Sequence, residues 1–284
     1  MPRRLAYSPR MFVVLALLSS LMWGVGDFLG GLSAKRMSVF AVVGLSQVFG
    51  LLVVLGFGLG TSAHWNSAAW PWALVAALGG DIGLMAYFKA LSIGRMGIVA
   101  PIASVGAVVP LAAGLWFGEQ PGPLQLVAML VAVVGIVLAS GPELSGGAGL
   151  RPVLLAMLAA GGFGLAMIGL AAGARTSLFA TTALMRVFSI LAIGLLLLVV
   201  PALRGPRVSN LGFIAASGSF DVVANLAFGA AASIGLLSVT SVLGSVYPVV
   251  TALLAWWVLK ERLLRVQYLG VALTMLGVLG IVAG

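Results

Sequence analysis

Asp81 and Asp221 stand 140 residues apart, each near the middle of an apolar stretch long enough to cross a bilayer. A carboxylate at mid-membrane depth costs roughly 2.5 to 3.5 kcal/mol on insertion scales, so two at matching positions point to a transport pathway. There they would bind a cationic group or carry a proton. Arg186, the base deepest within a span, would neutralise one of them, and Asn225 lies four residues from Asp221 on the same helix face, as Met85 does from Asp81. The structural alternative is a buried ion pair, Asp221 or Asp27 with Arg186, that only fixes helix positions. Asp27 lies nearer a span end and is read as structural. Trp23, inside its span, and Tyr247, beside Pro248, are candidates to line the same pathway. Pro110 and Pro248 each remove a hydrogen bond inside a span and kink it, which suits either a hinge or a fixed bend.

Other chemistries find little support. His64 is the only histidine and there is no cysteine, so neither a metal site nor a Ser-His-Asp triad is expected. No glycine-rich phosphate loop appears, and no cofactor is expected. An intramembrane enzyme using the buried carboxylates is the rival from another class, and it lacks a second catalytic partner at depth. The formal charge of +9 is scattered over many short loops, which favours anionic lipid headgroups as partners over nucleic acid.

The elements that must hold these residues follow from composition. With 62% hydrophobic and 7% charged residues, the chain reads as an all-α integral membrane protein. Apolar stretches fall near residues 11–31, 38–60, 70–92, 96–117, 123–140, 152–172, 178–200, 210–232, 236–259 and 265–283, each close to the roughly 20 residues a spanning helix needs. Ten transmembrane helices are therefore expected. The first, preceded by Arg3, Arg4 and Arg10, is too long for a signal-peptide core and is read as a permanent span. Tryptophans 65, 70, 72, 116, 256 and 257 cluster at span ends, as interfacial residues do. Glu119 and Glu261 each precede the helix of the next span and are expected to cap its exposed amides.

A repeat organises the spans. An offset of 140 lays Trp23-Gly24 on Phe163-Gly164, Lys35 on Arg175 and Asp81 on Asp221. An offset of 141 lays Ser92-Ile93-Gly94 on Ser233-Ile234-Gly235 and Ser104-Val105 on Ser245-Val246, and 142 lays Glu119, Gln125 and Gly135 on Glu261, Gln267 and Gly277. The repeats are residues 1–142 and 143–284, and an odd number of five spans in each makes them inverted, with the site expected at their interface. Gly26 with Gly30, and Gly79 with Gly83, form small-residue faces for close helix approach.

These residues resemble a family. Trp23-Gly24, Pro110, Gly114, Gly118-Glu119-Gln120-Pro121, Gln125 and Gly135-Ile136-Val137-Leu138 carry the resemblance in the first half. Ser245 to Thr251, Leu259-Lys260-Glu261-Arg262, Gln267 and Gly270 carry it in the second. The whole plan resembles the EamA branch of the drug/metabolite transporter superfamily. The resemblance implies a secondary or facilitative exporter of small metabolites, such as amino acids or drug-like compounds, with a central cavity between the halves. A lipid or lipid-linked substrate flippase is the alternative. A small-molecule substrate and protons are the expected partners, and nothing requires more than a monomer. Loop bases number four on the side of the termini and nine on the other, which by the positive-inside rule puts the termini outside. The resemblance puts them in the cytoplasm, and a multi-pass protein of the cytoplasmic membrane with cytoplasmic termini is the expectation.

Overall fold

In the computed structural model, residues 11–34, 37–61, 63–93, 99, 102–140, 149–200, 203, 210–260 and 264–284 are described. All regular elements among them are helical: α1 (Met11–Ala34), α2 (Val39–Thr61), α3 (Trp70–Ile93), α4 (Val108–Trp116), α5 (Pro123–Ala139), α6 (Leu150–Val199), α7 (Leu211–Ile234), α8 (Leu237–Gly244), α9 (Tyr247–Val258) and α10 (Arg265–Ala283), with 3-10 turns at Ser67–Ala69 and Val105–Ala107. Glu261, Lys35, Arg36 and the arginines before Met11 lie outside the described residues.

Seven helical stretches among the described residues are long and apolar enough to cross a membrane, against the ten expected. Two causes account for the difference. Ile102–Trp116 and Pro123–Ala139 are apolar but short, and the 50 residues of α6 count once although they run through two of the expected spans. A straight helix of that length would extend about 75 Å, more than twice the hydrocarbon core. It is not straight. Ser177 leaves helical geometry (φ −162°, ψ 109°) and its hydroxyl accepts from the amide of Ala180 at 3.1 Å, so it caps a new helix. The same hydroxyl donates to the carbonyl of His64 at 2.7 Å. A Cβ on Gly173 would fall 2.5 Å from Thr181, whereas residues eight apart in a straight helix lie about 12 Å apart, so the chain folds back into two arms.

In lipid there is no hydrophobic drive between helices, and backbone proximity through small residues carries the packing. A Cβ on Gly79 would meet the carbonyl oxygen of Gly162 at 2.8 Å, one on Gly83 would meet Phe163 at 2.8 Å, and one on Gly169 would meet Trp72 O at 2.8 Å. α3 therefore lies antiparallel on the first arm of α6. In the same way Gly26 and Gly30 of α1 face Ser217 of α7 at 3.3 and 3.0 Å, and Trp23 reaches Asn225. On α2, Gly44 faces Ile193 and Gly58 faces Phe179, both on the second arm of α6, while Gly50 sits between Val222 of α7 at 2.8 Å and Arg186 of α6 at 3.5 Å. Gly277 of α10 faces Ala132 of α5, and Gln267 donates to Ala139 O. In each pair one residue number rises as the other falls. Counted within repeats, first packs on third, second on second and fifth on fifth, always antiparallel and always between halves.

The helix-ending chemistry repeats as well. The side chain of Gln125 accepts from the amide of Gly122 at 3.1 Å, and that of Gln267, at the offset of 142, accepts from Leu264 at 2.8 Å. Glu119 caps a helix, with a correction to which one. Its oxygens accept from Leu237 N at 2.7 Å and Ser238 N at 2.8 Å, the start of α8 in the other repeat, while α5, the next helix along the chain, starts with the Gln125 bond. The outer faces carry exposed Leu52, Leu59, Leu130, Leu191 and Leu195, as a lipid-facing surface requires.

Candidate functional site

The polar residues inside the helices converge. Arg186, 1% exposed on the second arm of α6, pairs through Nη2 with Asp221 Oδ2 of α7 at 2.6 Å. Its Nη1 donates to Gln47 Oε1 of α2. Asp221 Oδ2 also accepts from Asn225 Nδ2 at 3.5 Å, and Asn225 Oδ1 accepts from Trp23 Nε1 of α1 at 3.1 Å. Trp23 packs against Phe228 with ring centroids 5.4 Å apart and meets Tyr247 edge-on at 6.3 Å. One polar chain thus crosses from α2 through α6 and α7 to α1 and ends on aromatic rings. Of the two proposed pairings for Arg186, the structure makes the one with Asp221.

Asp81 sits on the other side of this chain. It is 6% exposed, its Oδ2 makes no hydrogen bond, and its polar neighbours are Ser189 and Arg186. Gly80, next to it, faces Met185 across 3.7 Å, so this turn of α3 rests on the turn of α6 that bears Arg186. Asp27 is exposed although it lies mid-helix, and its electrostatic neighbours are Asp221, Tyr87 and Tyr247 on α7, α3 and α9. Its carboxyl is therefore accessible and yet has groups of three other helices around it. With every carboxyl ionised the group carries Asp27, Asp81 and Asp221 against Arg186, a net charge of −2. Such a site suits cations and protons.

The prolines sit apart in role. Pro248 is in the first turn of α9, and the helical path from Leu237 to Val258 is interrupted at Ser245–Val246, where Val246 N donates to Leu243 O at 3.4 Å. Without an N–H, Pro248 leaves the carbonyl of Gly244 no donor four residues on. Thr251 donates to both Gly24 O and Tyr247 O at 3.1 Å, which ties this broken helix to α1 one turn from Asp27. Pro110 follows the 3-10 turn Val105–Ala107 within α4 and is buried there. Gln47 was not visible as a site residue from its type alone. The signal that finds it is the repeat, because Gln47 and Arg186 are 139 residues apart, close to the offset that relates the two aspartates.

The sequence pattern of the EamA-like transporter family matches residues 10–141 and 150–283, both halves in turn. The chain belongs to this family. It is a multi-pass membrane protein of the drug/metabolite transporter superfamily, and the family pattern occurs in it twice. A relative in Methanocaldococcus jannaschii, an uncharacterised protein, is 24% identical over 131 residues, which are 45% of this chain and 95% of that one. That relative has the length of one repeat. A solved crystal structure is similar in fold, with a TM-score of 0.77 at 17% identity over 95% of this EamA-like chain and 94% of the other.

Proposed function

We propose that this EamA-like protein is a secondary or facilitative transporter that exports small metabolites through a central opening between two inverted repeats of five spans. The reading rests chiefly on the polar chain Gln47–Arg186–Asp221–Asn225–Trp23, which gathers four helices of both halves around carboxylates inside the apolar stretches. Antiparallel pairing of equivalent helices supports inversion, since a second half entering from the opposite face must run its helices in the opposite sense. The two-armed α6 and the short apolar helices Ile102–Trp116 and Pro123–Ala139 support ten crossings.

The expected cycle places the substrate against the acidic group formed by Asp27, Asp81 and Asp221, with Tyr247 and Trp23 as its aromatic wall. Protons exchange at a carboxylate as the opening changes side. The interruption at Ser245–Val246 supplies the hinge. A compound with an amino group fits this charge balance better than an anion, and amino acids or drug-like amines are the class to screen. The same reading puts the protein in the cytoplasmic membrane with both termini in the cytoplasm.

Purified protein in liposomes, given labelled amino acids or cationic drugs with and without a pH gradient, tests this. Asp221→Asn keeps the shape of the side chain and should lower gradient-driven accumulation at least tenfold while the protein stays folded. Equal accumulation by wild type and the Asp81→Asn/Asp221→Asn double variant would return both aspartates to a structural role.

A further inference from the structure

Arg186 is one guanidinium set between two carboxylates that occupy equivalent positions of the repeats. Asp81 and Asp221 are related by the offset of 140, and Gln47 and Arg186 by 139. That 139 is one residue short of the 140 that relates Lys35 to Arg175 and Asp81 to Asp221, so the bond from Arg186 to Gln47 joins nearly equivalent positions and lies close to where an axis relating the halves must pass. On one side Arg186 meets Asp221 at 2.6 Å, by distance and without the alignment of a hydrogen bond. On the other, its Nε has no partner, and Asp81 presents a buried Oδ2 that has none either. Ser189, three residues beyond Arg186, stands beside Asp81 with its hydroxyl buried.

A group close to the axis between two equivalent acceptors is offered a similar contact on both sides, so the conformation of the halves sets which one it takes. We propose that Arg186 is a shared counter-ion that trades Asp221 for Asp81 between the two access states, leaving one carboxylate at a time to receive a monovalent cationic group from the side then open. The proposal rests on the transporter reading and deepens it. In the state described here Asp81 is the receiving carboxylate and Asp221 the neutralised one. Asp81 is buried and, when Arg186 leaves it, must take up a proton or an ammonium group, whereas the Asp221 side chain is 36% exposed and can draw either from the open side. Either restores neutrality with the same chemistry. Asp27, Tyr87 and Tyr247 are the other titratable groups near this pair, and Asp27 has Met167 at the offset of 140, so it takes no part in the exchange.

Thermal unfolding of the full chain in nanodiscs, for wild type, Asp81→Asn, Asp221→Asn and the double variant, reads the exchange directly. When Asp221 is neutral, Arg186 turns to Asp81, so removing Asp81 in that background should lower Tm by about 3 °C or more beyond its effect in wild type. Strictly additive shifts overturn the proposal. Should Asp221→Asn fail to fold, the wild-type chain is treated with a hydrophobic carbodiimide, and adducts are located by fragmentation in a mass spectrometer. Adducts on Asp81 or on Asp221 but never on both in one chain are expected, and chains carrying both would overturn it. Pyranine-loaded liposomes then report proton entry, and labelled tetramethylammonium reports ammonium uptake. Non-additive stability with neither flux keeps the exchange and removes the transporter reading. Flux with additive stability does the reverse.

Discussion

Arg186 can be buried because two acceptors share it, and Gln47 is the one with no charge of its own to offer. Replacing Gln47 with leucine keeps the volume and strands one N–H of a buried cation. A loss of about 2 kcal/mol is expected, seen as a Tm lower by roughly 4 to 8 °C in detergent or nanodiscs. Trp23→Phe is milder, since it keeps the ring beside Phe228 and Tyr247 and removes only the bond to Asn225. About 1 kcal/mol is expected, by the same melt. At this scale the sequence was readable where charge met depth. Asp81, Asp221 and Arg186 stood out because ionised groups are expensive in lipid, and Asn225 because it sits one turn from one of them. Gln47 did not stand out, since a neutral amide in an apolar helix carries no comparable penalty and its partner is 139 residues away. Asp27 was read as a structural group near a span end, and only tertiary packing shows which helices surround it.

Helices here begin and end by identifiable side chains, and those are the places to test elements. Ser177→Ala removes both the cap on the second arm of α6 and the tether to His64 O. A loss of about 1 to 2 kcal/mol is expected, with faster amide exchange confined to residues 176–182. Glu119→Ala leaves the first amides of α8 without acceptors, so exchange over residues 237–241 should quicken although Glu119 is 118 residues away from Leu237 in the chain. An unchanged exchange rate there would mean that water replaces the carboxylate. Capping was legible in the acid itself. Its target was not, because spacing along a chain suggests the next helix and says nothing about one brought near by folding. Breaks within apolar runs were legible: the fold-back at Ser177 falls between the expected spans 152–172 and 178–200, and the interruption before Pro248 announces itself in the missing N–H.

The whole molecule is two halves that pack on each other more than on themselves. Since the chain has no cysteine, each introduced one is a unique label. His64→Cys follows the second span of the first half and Leu211→Cys follows the second span of the other half, so under inversion they must lie on opposite faces. A membrane-impermeant maleimide applied to intact cells should label one of the two and not the other, and labelling of both would contradict inversion. The repeat itself was plain in the sequence, because an offset of about 140 recurs in residues as different as Trp23-Gly24, Asp81 and Glu119. Seven stretches rather than ten pass the length test among the described residues, because two of the expected spans are short and α6 runs through two others.

Pairing first helix with third and second with second across the halves also sets a schedule for synthesis. α3 leaves the ribosome carrying Asp81, and the guanidinium meant for its neighbourhood is encoded 105 residues later. At about 5 to 20 residues per second, that leaves Asp81 in the bilayer for roughly 5 to 20 seconds without its counter-ion. The glycine face of α3 waits through much of the same interval, because Gly162 and Phe163 of the first arm of α6 have yet to arrive. The first half must therefore be held by the insertion machinery, or carry its carboxyl groups protonated, until the second half is made. Nascent chains halted before residue 150 should be cleared by membrane proteases far faster than chains halted after residue 234, the end of α7.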